Sequence, residues 1–120
     1  MFRFALLWLS FVAIAIGEQP QPHILFLLGE MEYKKLETVP EFFESELKPL
    51  GFTAEFITAP PEGEARNDFP GMAAALQKAD LVFLSIRRRA PKTADMEALK
   101  AFVASGKPLV GIRTSSHAFH

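Results

Sequence analysis

The segment Gly111-Ile-Arg-Thr-Ser-Ser-His117 concentrates more polar chemistry than any other stretch of this 120-residue chain. It continues Pro108-Leu-Val-Gly-Ile112, an apolar run that reads as a buried strand, so Arg113, Thr114, Ser115 and His117 stand where that strand ends. Two other apolar runs finish in the same way. His23–Leu28 leads into Gly29-Glu-Met-Glu-Tyr33, and Leu81–Ile86 leads into Arg87-Arg-Arg89. Arg87, Arg88 and Arg113 carry planar forks suited to a carboxylate, a phosphate or a pair of sugar hydroxyls. Glu30 and His117 are the candidate acid–base groups. Gly29 permits a tight exit or a close backbone approach to a ligand, and Tyr33, Thr114 and Ser115 add hydroxyls to the candidate binding set.

Plainer readings of the same residues stay open. An arginine triplet in a loop is often only a solvated surface. Glu30 and Glu32 can pair with Lys34 or Lys35 in solvent, and Arg113 with an acidic neighbour such as Glu30. His117 near a helix start and His23 at a strand start fit structural hydrogen bonding. Several chemistries are disfavoured outright. Ser115 and Ser116 lack the flanking glycines of a G-x-S-x-G elbow. Gly29-Glu-Met-Glu-Tyr lacks the G-x-G-x-x-G of a dinucleotide site. A metal site through His117 with Glu30 or His120 stays open, but His117 and His120 stand three apart, a weak signal, and neither H-x-x-x-H nor H-E-x-x-H occurs. No metal site and no cofactor are assigned.

The elements that must position these groups follow from the periodicity. His23–Leu28, Thr53–Thr58, Leu81–Ile86 and Leu109–Ile112 read as strands, the first bounded by Pro22 and Gly29. Thr38-Val-Pro-Glu41 is a capping-box pattern opening a helix whose apolar positions are Val39, Phe42, Phe43, Leu47 and Leu50. Pro49 and Gly51 end it. After a loop from Ala59 to Asn67, Asp68 is placed to cap a short helix from about Pro70 to Lys78, with Ala73, Leu76 and Ala79 inward. Thr93 is placed to cap the next, with a stripe of Met96, Leu99, Phe102 and Val103 and a stop at Gly106. The order βαβαβαβ predicts an α/β domain, a parallel sheet with helices on both faces. Its strand ends then share one edge of the sheet, where ligands bind in open α/β folds.

Composition bounds the rest. The formal charge is −1, which gives no bias toward nucleic acid or anionic membranes. There is no cysteine, hence no disulfide framework, thiol nucleophile or thiolate metal site. Met1-Phe-Arg3 is followed by Phe4–Ile16, apolar apart from Ser10, and Ala15-Ile-Gly17 supplies small residues for cleavage before Glu18. The run is short of the roughly 20 residues a membrane span needs. Residues 1–17 are therefore expected to be a signal peptide and 18–22 a linker. The protein is expected to be exported, to the periplasm or beyond, with no stable membrane insertion after cleavage.

Three segments together resemble the ThuA-like, or trehalose-utilisation, domain of the class I glutamine amidotransferase-like superfamily. They are Gly29-Glu-Met-Glu-Tyr33 followed by Thr38-Val-Pro, Ser85-Ile-Arg-Arg-Arg89, and Gly106-Lys-Pro-Leu-Val-Gly-Ile-Arg-Thr-Ser-Ser-His-Ala-Phe119. The likeness covers about residues 22–120. It implies a flavodoxin-like three-layer fold and a role in carbohydrate metabolism, with a small carbohydrate-like molecule as ligand. Amidotransferases of the superfamily carry a nucleophilic cysteine in a G-x-C-x-G turn. Gly111-Ile-Arg113 puts arginine at that position, which excludes glutamine hydrolysis by that route. The family domain is roughly twice as long, so residues 23–120 are expected to be its N-terminal part, with a further helix and strands after His120.

Overall fold

Ile24, Leu25, Phe26, Leu27 and Leu28 follow one another without a polar residue, and a strand of that kind is stable only with both faces covered. The computed structural model describes Gly17 and residues 19–120, so the expected signal peptide lies outside the described residues apart from Gly17. Four strands, β1 (His23–Gly29), β2 (Thr53–Thr58), β3 (Leu81–Ile86) and β4 (Leu109–Gly111), form one sheet in the order β2-β1-β3-β4. Every pairing is parallel. Three helices, α1 (Lys35–Phe42), α2 (Met72–Lys78) and α3 (Thr93–Ala104), connect them. This is an α/β fold with the flavodoxin-like strand order, and β1 and β3 are the neighbours at which that order reverses.

The alternation of β1 divides the core in two. Leu25 and Leu27 join Val82, Leu84 and Ile86 beneath Met72, Ala75 and Leu76 of α2 and Leu99 and Phe102 of α3. Ile24, Phe26 and Leu28 face the other way, onto Val39 and Phe43. Parallel register places Phe56 and Phe83 on either side of Phe26. The Phe26 and Phe56 rings stack at 4.6 Å, Phe83 lies 5.1 Å from Phe26, and Phe43 meets Phe26 edge-on at 5.9 Å. Offset and edge-on contacts of this kind add to the area buried.

Several sequence expectations are corrected. The first helix starts at Lys35 rather than at the Thr38 box, because Lys35 is drawn beneath the end of β1 by Glu30. Thr38 is already helical and its hydroxyl donates back to the Lys34 carbonyl at 3.2 Å, a bond that competes with capping. Pro40 thus falls inside the helix. The chain continues through a π turn at Phe43–Leu47 and a 3-10 turn at Lys48–Leu50. Val39 and Phe43 define the inward stripe, which leaves Phe42 and Leu50 exposed. Gly51, at φ 90°, ends the segment as expected.

Neither Asp68 nor Thr93 caps a helix. Gly71, in the left-handed conformation, precedes α2, and Lys92 precedes α3. Asp68 has extended backbone and closes the 3-10 turn Glu64–Asn67 instead, its amide donating to the Ala65 carbonyl, and Phe69 after it is buried. Val103 is half exposed, and Ala73 only partly buried. The largest correction concerns the strand before Arg113. All of β4 is exposed, because it is the short edge of the sheet, paired with β3 alone. Leu109 and Val110 show apolar side chains on its opposite faces.

Phe26→Ala removes the ring on which the aromatic cluster converges and is expected to cost about 3–5 kcal/mol. Phe42→Ala, at a position the periodicity places inside, is expected to change stability by less than about 0.5 kcal/mol. Denaturant titrations of the two variants against the parent chain check both values.

Candidate functional site

Glu30 is the first residue past β1, and it is buried, 4% exposed. A carboxylate there is tolerable only with its lone pairs filled. Lys35 Nζ, at the start of α1, donates to Oε1 and carries the opposite charge. Ser85 Oγ of β3 donates to the same oxygen at 2.8 Å. Thr114 Oγ1, past β4, donates to Oε2 at 2.8 Å. One side chain therefore ties together the ends of three strands and the first turn of a helix. Burial acts to raise the carboxyl pKa, but the bonds from Lys35, Ser85 and Thr114 and the Lys35 charge outweigh it. The Glu30 carboxyl is held below its ordinary value and stays ionised.

Gly29 is closely packed. A Cβ there would meet Phe69 Cζ at 3.1 Å and the Ile86 side chain at 3.4 Å. Its carbonyl accepts from Arg89 Nε at 2.8 Å. Arg89, also 4% exposed, reaches the Pro61 carbonyl through Nη1 at 3.4 Å. Arg66, on the loop after β2, donates through Nη2 to the Arg88 carbonyl at 2.9 Å. Burial first, and the Arg66 charge second, push the Arg89 guanidinium below its usual pKa. Arg87 is paired with Glu32. Residues 29–32, Pro61, Glu62, Arg66, Arg87 and Arg89 line a cavity of about 260 Å³.

The remaining sequence candidates take other places. Ser115 closes the top of β3: its hydroxyl donates to the Leu84 carbonyl at 3.0 Å and accepts from the Ile86 amide at 3.2 Å. Arg88 stands at φ 49°, and its amide donates to the His117 carbonyl at 2.7 Å. His117 is exposed, with Nδ1 2.8 Å from Ser116 Oγ. Tyr33 is exposed, its ring 5.5 Å from the Lys35 ammonium. Arg113 is exposed, and the acidic partner it was given as an alternative, Glu30, is bonded instead by Thr114. The structure thus brings Gly29, Glu30 and Arg87 to the cavity. Tyr33, Arg88, Arg113, Thr114, Ser115 and His117 are not part of its lining.

Ser85 and Arg66 join the candidate site without having been singled out in the sequence, and Arg89, named there only as the last of the arginine triplet, joins it too. Ser85 had a signal, since a lone hydroxyl inside a fully apolar strand demands a buried partner. Arg66, in an irregular loop, had none. Among the described residues no group of His, Asp and Glu is arranged to hold a metal ion, and no helix is long and apolar enough to cross a membrane. No family model matches the chain, and no curated protein or solved structure matches it either.

The Glu30 network makes a prediction with a definite sign. The folded pKa of Glu30 lies below the unfolded one, so its contribution to stability is complete above about pH 4–5 and is lost as acid protonates it. Lys35→Met removes the cation and its bond, leaving burial of the Glu30 carboxylate opposed only by the Ser85 and Thr114 hydroxyls. That variant is expected to lose about 3–5 kcal/mol at neutral pH and to recover part of the deficit between pH 7 and 4. Denaturant midpoints across that range test it. A deficit independent of pH would show that Lys35 acts by packing alone. Ser85→Ala is expected to cost about 1–3 kcal/mol by the same measurement.

Proposed function

We propose that this chain is the N-terminal part of an exported ThuA-like domain. It binds or processes a sugar or sugar derivative at the carboxyl ends of β1 and β3. The observation that carries the reading is the place of the cavity. It opens where the strand order reverses, which is where open α/β sheets bind their ligands, and it is lined by Glu30, Arg87 and Arg89. Its volume lies just under the roughly 300–1,000 Å³ of drug-sized pockets. That favours a ligand the size of one sugar ring. The motif likeness supports a carbohydrate ligand, and the leader composition supports export.

In this reading Arg87 orients hydroxyls or a carboxylate, and Arg113 and His117 extend the contact surface toward β4. Glu30, ionised and bonded by three side chains, positions the strand ends. His117, exposed, is the acid–base group. A second reading has support of its own: the Glu30 carboxylate and the Thr114 and Ser115 hydroxyls are all engaged within the protein. That state suits a module that binds a small ligand without transforming it.

Titration calorimetry of the chain with a panel of monosaccharides, disaccharides and their derivatives, followed by product analysis, tests both readings. Binding with turnover favours the first and binding without turnover the second. No sugar binding at millimolar concentration rejects both. Arg87→Lys keeps the charge but loses the planar fork, and is expected to weaken binding by about 1–3 kcal/mol.

A further inference from the structure

Two guanidinium groups at the cavity have no carboxylate partner. Among the described residues, the ion pairs involve Lys35, Lys48, Arg87, Lys92, Lys100 and His23, and neither Arg66 nor Arg89. Both are bonded only to backbone carbonyls, of Arg88, Gly29 and Pro61. A buried charge is ordinarily paired, and Arg89 is 4% exposed. Its Nη2 makes no hydrogen bond, yet no sealed side-chain nitrogen or oxygen among the described residues lacks a partner. That nitrogen therefore opens onto accessible space, and the cavity is the space that Arg89 lines.

The charges of the lining sharpen the case. Glu30 is neutralised by Lys35, and Glu32 by Arg87. Arg66 and Arg89 remain, opposed only by Glu62, which is exposed and forms none of the ion pairs. The two arginines repel each other, and an anion between them relieves both the repulsion and the uncompensated burial. Two forks on one cavity wall match the oxygen pairs of a carboxylate or phosphate.

We infer that Arg66 and Arg89 form a receptor for an oxyanion group, carboxylate or phosphate, carried by the ligand of this cavity. That the ligand is a sugar acid or sugar phosphate, rather than a neutral sugar, rests on the function proposed above. The oxyanion site itself rests on the geometry alone. Arg89, buried, is the fixed donor of the pair. Arg66, in the 3-10 turn Glu64–Asn67, is the exposed donor of the pair. Glu62 is the competing charge that limits affinity.

The experiment titrates the full chain with inorganic phosphate, glucuronate, glucose 6-phosphate and glucose at constant ionic strength, read by calorimetry and by melting temperature. Phosphate and the two anionic sugars are expected to bind. The better of the two anionic sugars identifies carboxylate or phosphate as the preferred group. Arg66→Gln is expected to weaken phosphate binding about tenfold. Glu62→Gln is expected to tighten it, and Lys100→Gln, on the solvent face of α3, to leave it unchanged. Absence of phosphate and glucuronate binding overturns the inference. So does equal weakening by Arg66→Gln and Lys100→Gln, the mark of diffuse charge. A lowered melting temperature for Glu62→Gln without phosphate binding overturns it too, since Glu62 would then be the internal counterion. Binding of glucose but of no anion removes the inference and leaves the proposed function. Binding of phosphate but of no sugar does the reverse.

Discussion

The buried carboxylate of Glu30 sets the terms for the upper end of this sheet. Taking an ionised group out of water costs several kcal/mol unless bonds and an opposite charge replace its hydration. Here the replacements reach Glu30, just past β1, from three places in the chain, since Ser85 lies in β3, Lys35 begins α1 and Thr114 follows β4. Each donor is useful only if its element arrives in register. The network therefore specifies the geometry of the strand ends more sharply than the apolar core beneath, where side chains of similar volume would pack nearly as well.

The first helix shows the reach of that constraint. Lys35 has to be the first helical residue for its ammonium to sit under Glu30. The chain between them takes Tyr33 and Lys34 through the left-handed region, at φ 61° and 52°, a conformation that side chains other than glycine adopt at some cost. Pro40 is then carried into the helix interior. Local preferences yield to one buried charge pair.

On the opposite wall of the crevice the balance is different. Arg89 is packed against carbonyls, which satisfy its geometry but do not cancel its charge. The segment after β4 is held by backbone bonds from Arg88 and Arg89 to the carbonyls of His117 and Ala118, and Arg89 pairs with Phe119 as an isolated parallel bridge. The arginine triplet thus has three roles in successive residues. Arg87 pairs with Glu32 at the rim, Arg88 turns the backbone, and Arg89 enters the wall of the cavity. A surface triplet with no structural duty would have shown none of this separation.

The strands and their parallel arrangement were legible in the residues alone. His23–Leu28, Thr53–Thr58 and Leu81–Ile86 are short apolar runs between breakers, and the intervening helical periodicity implies parallel crossovers. What joined the strand ends into one edge was therefore also legible. Helix starts were not, because Thr38, Asp68 and Thr93 have the chemistry of caps while the tertiary contacts of Lys35 decide where the first helix begins. Nor was the exposure of Leu109 and Val110, since an edge strand and a central strand share the same apolar composition. The sequence by itself determined that polar groups from β1, β3 and β4 would meet. Only the tertiary structure decided that Glu30, Lys35, Ser85 and Thr114 would turn inward on one another while Arg66 and Arg89 would line the cavity without a carboxylate partner. The reason is that a hydrogen bond depends on direction and distance between elements far apart in the chain, and neither is encoded in the spacing of residues within one element.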